Sequence, residues 1–345
     1  VRDEAELKGD SEAVGLGVRR CREAGGLKLL LIGGPKFLGY ALIEAALARG
    51  HEVTTFNRGQ TNPGLFPQIE KLHGDRDSGL APLEGRRWDA VLDTSGYVPR
   101  HVRDSAALLA GAADRYVFVS SISYYADYRE PRTETDPPEK LGDKPDDRLL
   151  ADYSNYGALK ALCEQEAERA FGDRALLVRP GLIVGPNDPT DRFTYWPRRS
   201  ERGGPILAPP DQPVQMVDVR DLADWTIRLV EDGGSGPYNA TSPPGAITFD
   251  SMLEACGATD VVRVTEEFLD EQGVEGWMDL PCWIPPADTD LAAFQLVPVD
   301  RAVGSGLTFR QLAETARDVP DWTGKAGLTA EREGELLAAW ENRAA

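Results

Sequence analysis

From residue 27 onward, short apolar runs alternate with stretches in which apolar residues recur every three to four positions. The short runs predict buried strands and the periodic stretches predict helices. Lys28–Ile32 predicts a first strand, followed by a glycine-rich turn and the helix GYALIEAALARG, ending at Gly50. His51–Phe56 predicts a second strand, Lys71–His73 a short third and Asp89–Asp93 a fourth. A helix through SAALLAGAA, the strand Arg115–Ser120, a helix around Tyr156 and the strand Arg174–Val178 continue the alternation. Such alternation buries both faces of a parallel sheet. The expected fold class is therefore α/β, a doubly wound parallel sheet of the Rossmann type.

Two stretches interrupt the pattern. Ala126–Asp152 is rich in Pro, Asp, Glu and Lys and reads as a long surface loop. Beyond Gly185 the chain becomes irregular, with many prolines and with Trp196, Trp225, Trp277 and Trp283. The expected organisation is an N-terminal extension at 1–26, a nucleotide-binding domain at 27–185 and a smaller substrate-binding lobe at 186–345. Arg220–Glu231 returns to the nucleotide domain as a helix, and Gly327–Arg343 forms a terminal amphipathic helix. A small-molecule site is expected in the cleft between the lobes.

Charge narrows the partners. The 345 residues include 57 acidic and 38 basic ones, a net charge of -19. Such a surface repels nucleic-acid backbones and anionic membranes, which leaves a small-molecule substrate as the expected partner. Cys21, Cys163, Cys256 and Cys282 are scattered, and His51, His73 and His101 do not cluster. Neither a metal site nor a disulfide framework is expected. No apolar run approaches the ~18 residues of a membrane span, and residues 1–26 lack the apolar core of a signal peptide. A cytoplasmic location is expected.

Chemistry enters at the first turn. Gly33, Gly34 and Gly39 lie between a strand and a helix, where glycines permit a tight turn and close approach of backbone to a pyrophosphate. The second strand ends in Asn57 and Arg58. Sites selective for NAD place an acidic residue near this position. Neutral Asn57 removes repulsion against a 2′-phosphate, and Arg58 can pair with it, with Lys36 as a second cation. NADP(H) is therefore expected in preference to NAD(H), with Arg58 as a mere exposed loop cation the alternative. Tyr156 and Lys160 are spaced to share one helix face. An ammonium held there would lower the phenol pKa from about 10 and make it a proton donor and acceptor near neutrality.

These motifs together resemble the short-chain dehydrogenase/reductase superfamily, in its extended, NAD-dependent epimerase/dehydratase branch, from about Leu27 to the last helix. Gly33-Gly34-x-x-Phe37-Leu38-Gly39 is similar to the family fingerprint, with Lys36 where many extended members have the middle glycine. The resemblance implies that Asp75, in Gly74-Asp75-Arg76-Asp77, contacts the adenine. It implies that Thr94, Ser95 and Gly96 run along the cofactor, and that Pro180, Gly181 and Ile183 pass the nicotinamide. VFVSSISYY resembles the strand that supplies the catalytic hydroxyl, which Tyr125 assigns to Ser121, with Ser123 as the competitor. Tyr156 and Lys160 match the family's Tyr-x-x-x-Lys. In this superfamily the Tyr–Lys helix often forms a dimer interface, but Glu164, Glu166 and Glu168 make it acidic here, which leaves monomer or homodimer open.

Two departures narrow the reaction. Ile122 and Ser123 follow Ser121, where sugar dehydratases carry an Asp-Glu pair. Val214 stands where nucleotide-sugar 4-epimerases have a diphosphate-binding arginine, with Arg192, Arg198 and Arg199 as substitutes. Ser123, Tyr125, Arg192, Tyr195, Trp196 and Trp283 are candidates for binding a sugar or other polyol, the alternative being that the tryptophans pack the smaller lobe. The expected function is NADP(H)-dependent oxidoreduction at a secondary alcohol or ketone of a sugar-like or natural-product substrate. Epimerisation through a transient ketone is the alternative, and a non-catalytic NADP-sensing or RNA-binding relative a third reading.

Overall fold

The computed structural model describes residues 25–142, 148 and 153–344. Residues 1–24 of the N-terminal extension, with Cys21, lie outside the described residues, as do 143–147 and 149–152 of the long loop. The strands are β1 (Lys28–Ile32), β2 (Glu52–Asn57), β3 (Glu70–His73), β4 (Trp88–Asp93), β5 (Ala113–Val119), β6 (Ala175–Pro180), β7 (Leu182–Val184), β8 (Ile206–Ala208), β9 (Met216–Asp218), β10 (Gly236–Ala240) and β11 (Val261–Arg263). Seven of them form one parallel sheet in the order β10-β6-β5-β4-β1-β2-β3. Strand order reverses beside β1, between β2 and β4, and ligands of such sheets bind beyond the carboxyl ends of the strands at that reversal.

Helices cover both faces. α1 (Leu38–Ala48) shares an apolar core with the later α5 on one face, while α2 (Pro99–Leu109) and α3 (Tyr156–Phe171) close the other. α4 (Tyr195–Glu201) and α5 (Val219–Glu231) follow. The long amphipathic pattern of α5 buries Leu222, Trp225 and Leu229 against β1-side residues such as Leu29 and Leu31. Its N-cap Asp218 accepts from the Arg220 amide, satisfying one of the orphan donors of the first turn.

Some elements moved relative to the sequence pattern. The helix expected through SAALLAGAA begins earlier, at Pro99, whose fixed φ suits a first helical position, and ends at Leu109. The edge strand β10, GPYNA, had no apolar signature. Proline is tolerated there because β10 pairs only with β6 and lies at the sheet edge.

A second apolar cluster is built from the later part of the chain: α4, β8, β9, α6 (Phe249–Ala255), α7 (Glu266–Glu271), then α8 (Asp300–Gly304) outside it, α9 (Leu312–Arg317) and α10 (Ala330–Ala344). Tyr195, Trp196 and Trp283 are 2%, 0% and 1% exposed within this cluster. The Trp196 indole donates to the Pro281 carbonyl at 2.9 Å, and the ring packs edge-on against Phe249. The expectation that these three line a substrate cleft is thereby corrected. Large rings gain most from complete burial, and here they pack the core.

Candidate active site

The turn between β1 and α1 is tight enough to require its glycines. Gly33 has φ +144°, and a Cβ there would lie 2.3 Å from the Thr94 hydroxyl. A Cβ on Gly39 would lie 2.3 Å from the Gly34 carbonyl. Phe37 precedes α1 in the left-handed region, with φ 46°, and no side chain caps the helix. Of the first-turn amides, Gly39 donates to the Lys36 carbonyl and Ala41 to that of Phe37, which leaves those of Leu38 and Tyr40 for another acceptor. Leu38 is buried, while Lys36 is exposed.

Beside this turn lies a cleft of about 460 Å³, lined by Gly33, Gly34, Asn57, Arg58, Asp75 and Ser95 among others. Asn57 braces its wall, donating to the Gly33 carbonyl at 3.1 Å and accepting from the Gly59 amide at 2.8 Å. Arg58 is exposed, and no hydrogen bond or ion pair holds it among the described residues. Asp75 caps its own turn by accepting from the Asp77 amide.

The sequence makes Arg76, next to Asp75, a cofactor-binding candidate, and in the structure both its terminal nitrogens are engaged within the protein while its Nε is buried without a partner. It grips Asp93 through two bonds of 2.7 and 2.8 Å, and also reaches Ser95, Ser105 and the His101 carbonyl. Burial alone would raise the Asp93 carboxyl, but Arg76 and Tyr116 outweigh it and hold it below its ordinary value. Arg76 lines the cleft, and Asp93 is fully buried against it. Thr94 and Ser95 both donate to the Ile32 carbonyl, tying the end of β4 to the end of β1.

At the other end, α3 begins at Tyr156, and Lys160 follows one turn later. Lys160 is 3% exposed and donates to the Gly96 carbonyl at 3.0 Å and the Val119 carbonyl at 2.8 Å. Its ammonium lies 4.8 Å from the centre of the Phe118 ring, 5.0 Å from Tyr97 and 5.7 Å from Tyr156. Burial lowers the Lys160 pKa, opposed by charge interaction with Tyr97.

Ser121 caps a short 3₁₀ turn at Ile122–Tyr124, accepting from the Ser123 amide and donating to the Ser123 hydroxyl. Ser121 is also close enough to Tyr156 to favour the ionised phenol slightly. The structure therefore brings Ser121, Ser123, Tyr156 and Lys160 together. It does not show the lowered phenol pKa expected from the spacing. Burial pushes Tyr156 up to about 12, and Ser121 and the Arg192 charge only partly oppose this. Lys160 spends two donors on backbone carbonyls and lies 5.7 Å from the centre of the ring, and desolvation wins.

Tyr125, a substrate candidate by sequence, is 1% exposed. Its hydroxyl donates to Asn239 and accepts from Arg179, which is itself clamped by Glu164 and stacked on Tyr124. It is corrected to a packing residue under the Ser121 turn. Pro180 closes β6, and the Gly181 amide donates to the Ala240 carbonyl. A Cβ on Gly181 would lie 2.6 Å from the Thr241 hydroxyl, and Ile183 beyond it is half-buried.

Two contributors escaped the sequence reading. Tyr97, 46% exposed, covers Lys160 from the solvent side. Gly157 lets the start of α3 settle on the Ser121 turn: a Cβ there would come within 2.0 Å of the Ser123 carbonyl and of Glu139. The glycine beside Tyr156 was the available signal for the second. For Tyr97, nothing in the sequence tied it to a lysine 63 positions later.

With this geometry in view, similarity to known proteins can be placed. A family model described as the NAD dependent epimerase/dehydratase family matches residues 29–240, ending with β10. The chain belongs to the NAD dependent epimerase/dehydratase family. Within that family it is 26% identical over 248 residues to the chloroplast stem-loop binding protein of 41 kDa b of Arabidopsis thaliana, covering 66% of this chain and 62% of that one. It is 26% identical over 249 residues to the epimerase family protein SDR39U1 of Bos taurus, covering 67% and 80%. To the 2'-dehydrokanamycin reductase of Streptomyces kanamyceticus it is 29% identical over 224 residues, covering 61% and 56%. The matches to the first and third relatives thus span less than two thirds of those proteins.

Among solved structures, the Bordetella bronchiseptica enzyme WbmG in complex with NAD and UDP superposes with a TM-score of 0.59 at 16% identity, covering 92% of this chain and 96% of that one. The UDP-N-acetylglucosamine 4-epimerase of Bacillus cereus gives 0.54 at 16%, covering 84% and 97%. At these identities the likeness concerns the fold. The family is described as NAD dependent, and its model covers the whole of the parallel sheet apart from the first residue of β1. No helix among the described residues is long and apolar enough to cross a membrane.

Proposed function

We propose that the protein is an NADP(H)-dependent oxidoreductase acting on a secondary alcohol or ketone, with Ser121, Tyr156 and Lys160 as its catalytic residues. The observation that carries this reading is the packing of the start of α3, with Tyr156 and a buried Lys160, directly on the Ser121 turn, at the end of the sheet that also holds the glycine turn.

The residues suit a dinucleotide. Gly33, Gly34 and Gly39 leave room at the uncapped start of α1 for a pyrophosphate, and Asp75 and Ser95 line the adjoining cleft. Arg58 lies at the cleft edge without an acidic partner, suited to a 2′-phosphate, which is why NADP(H) is preferred over NAD(H). The nicotinamide, when bound, supplies or accepts the hydride. Ser121 Oγ donates to the substrate oxygen and fixes it. Tyr156 Oη gives that oxygen its proton in reduction and removes it in oxidation. With its pKa raised, the phenol is protonated near neutrality, the form needed to donate in reduction, though as a weaker acid than free tyrosine. Lys160, fixed by two carbonyls, places its positive charge under the Tyr156 ring.

Epimerisation remains the second reading, since epimerases occur among the structural neighbours. The name of the stem-loop binding relative raises RNA as a third, against which the net charge of -19 weighs. The test is NADPH oxidation across a panel of ketones and keto-sugars, with Tyr156→Phe as control. Stoichiometric NADPH loss, abolished by the substitution while NADPH still binds, is expected. Full activity in Tyr156→Phe would refute the assignment, and substrate conversion without net NADPH loss would favour the epimerase.

A further inference from the structure

A buried ion pair ties together the elements that carry Ser121 and Tyr156. Tyr156, Lys160 and Glu164 follow one another at four-residue spacing along α3. The sequence placed Glu164 on an acidic outer face of that helix, but in the structure it is only 2% exposed. Its partner is Arg179 on β6, also 2% exposed. The contact is a fork: Arg179 Nε donates to Glu164 Oε1 at 2.9 Å, and Nη2 donates to Oε2 at 2.6 Å.

The remaining nitrogen reaches the Ser121 turn. Arg179 Nη1 donates to the Tyr125 hydroxyl and to the Glu134 carbonyl, both at 3.1 Å. The guanidinium carbon lies 3.5 Å from the centre of the Tyr124 ring. Tyr125 in turn donates to the Asn239 side chain of β10 at 2.5 Å, and the Asn239 amide donates to the Glu134 carboxylate at 3.0 Å. Tyr124 and Tyr125 close the 3₁₀ turn that Ser121 caps. The turn is therefore held to α3 at two points. One is the close approach of the Ser123 carbonyl to Gly157; the other runs through the two tyrosines, Arg179 and Glu164.

Stability alone does not account for an ion pair in this place. Taking two charges out of water costs about as much as their attraction returns, and apolar side chains of similar volume often serve a fold as well. What the fork adds is direction, since two parallel bonds accept one geometry while apolar surfaces slide. The direction fixed here is that of the Ser121 turn relative to the helix that begins at Tyr156.

We propose that Glu164 and Arg179 are positioning residues: through the fork and the two tyrosines they set where the Ser121 hydroxyl stands relative to that of Tyr156, without touching substrate or cofactor. The proposal rests on the reading of Ser121 and Tyr156 as catalytic residues, and one arm of its test needs no turnover.

The deciding variant is the double replacement Glu164→Leu/Arg179→Met, which removes both charges and keeps apolar volume. It is expected to melt above either single variant, each of which leaves one charge buried alone. Hydrogen exchange then reads the turn through the Ser123 and Tyr124 amides, which donate to the Ser121 hydroxyl and carbonyl. These amides should exchange roughly 10-fold faster in the double variant, with β1, β4 and NADP+ affinity as in wild type. In NADPH oxidation with a ketone that the wild type reduces, kcat should fall roughly 10- to 100-fold at unchanged KM for NADPH, as for a misplaced catalytic group. Wild-type exchange at the turn, or a wild-type kcat, in a double variant that has regained stability would overturn the proposal, because a merely structural pair is replaced once stability is. Should the double variant not fold, Tyr125→Phe takes its place, removing only the hydroxyl that joins Arg179 to Asn239; unchanged exchange at the turn in that variant would overturn the proposal. If the wild type itself reduces no ketone, the reaction assigned above fails, and the exchange at the turn alone decides whether the pair fixes it.

Discussion

The glycine turn and the Tyr156 cluster are built by different means. At the glycine turn the backbone makes the site: close contacts at Gly33 and Gly39 and the open first turn of α1. At the Tyr156 end, side chains from distant segments converge. Lys160 takes its acceptors from positions 64 and 41 residues away, and Ser121 lies on a different element from Tyr156. A backbone-built site depends on a few adjacent residues, whereas a side-chain-built site depends on the packing of several elements. The first tolerates little change in glycine positions; the second responds to changes in burial and charge.

The greatest effect should come from the buried Arg76–Asp93 pair beside the glycine turn. Arg76→Met leaves Asp93 buried without its cation and should cost about 3–5 kcal/mol in urea unfolding. The same pair sets an acid limit. Because the folded Asp93 pKa is depressed, its contribution is complete above the unfolded value near 4 and is lost as pH falls toward the lower folded value. Stability measured from pH 5 to pH 2 should therefore decline, and Asp93→Asn should flatten that part of the decline from an already lower level. A wild-type-like acid limb in Asp93→Asn would remove the pair from this role.

Arg58→Ala should weaken NADP+ binding by about 1.5–3 kcal/mol and leave NAD+ binding unchanged, measured by fluorescence titration of both cofactors. Equal losses for the two would dissolve the assignment of the 2′-phosphate. Gly39→Ala meets the Gly34 carbonyl and should cost about 1–3 kcal/mol of cofactor binding or stability, while the catalytic end keeps its tyrosine environment. Least of all, Tyr97→Leu should cost about 0.5–1 kcal/mol of stability, since the half-exposed ring contributes a cation–π contact to Lys160.

The contrast also explains what could be read from the sequence. Lys28–Ile32, the following glycines and Asn57–Arg58 were legible because each signal is local and repeats the period of one element. The Tyr156–Lys160 spacing was legible as a shared helix face. Its electrostatic result was not, because burial and the Gly96 and Val119 carbonyls come from elsewhere in the chain. β10 was missed for a related reason: an edge strand with proline lacks the apolar run that marks a central one. Tyr195, Trp196 and Trp283 illustrate the opposite error. An aromatic cluster near an arginine resembles a sugar pocket in sequence, and only packing shows that it is sealed.

The contact at Gly157 bears on any attempt to alter this protein by directed evolution. Because the start of α3 rests directly on the Ser121 turn, the serine and tyrosine hydroxyls move as one piece rather than as independently adjustable parts. Libraries that randomise position 157 would yield mostly folded, silent variants. Diversity is better placed at cleft-lining positions on other elements, such as Gln60 and Thr61.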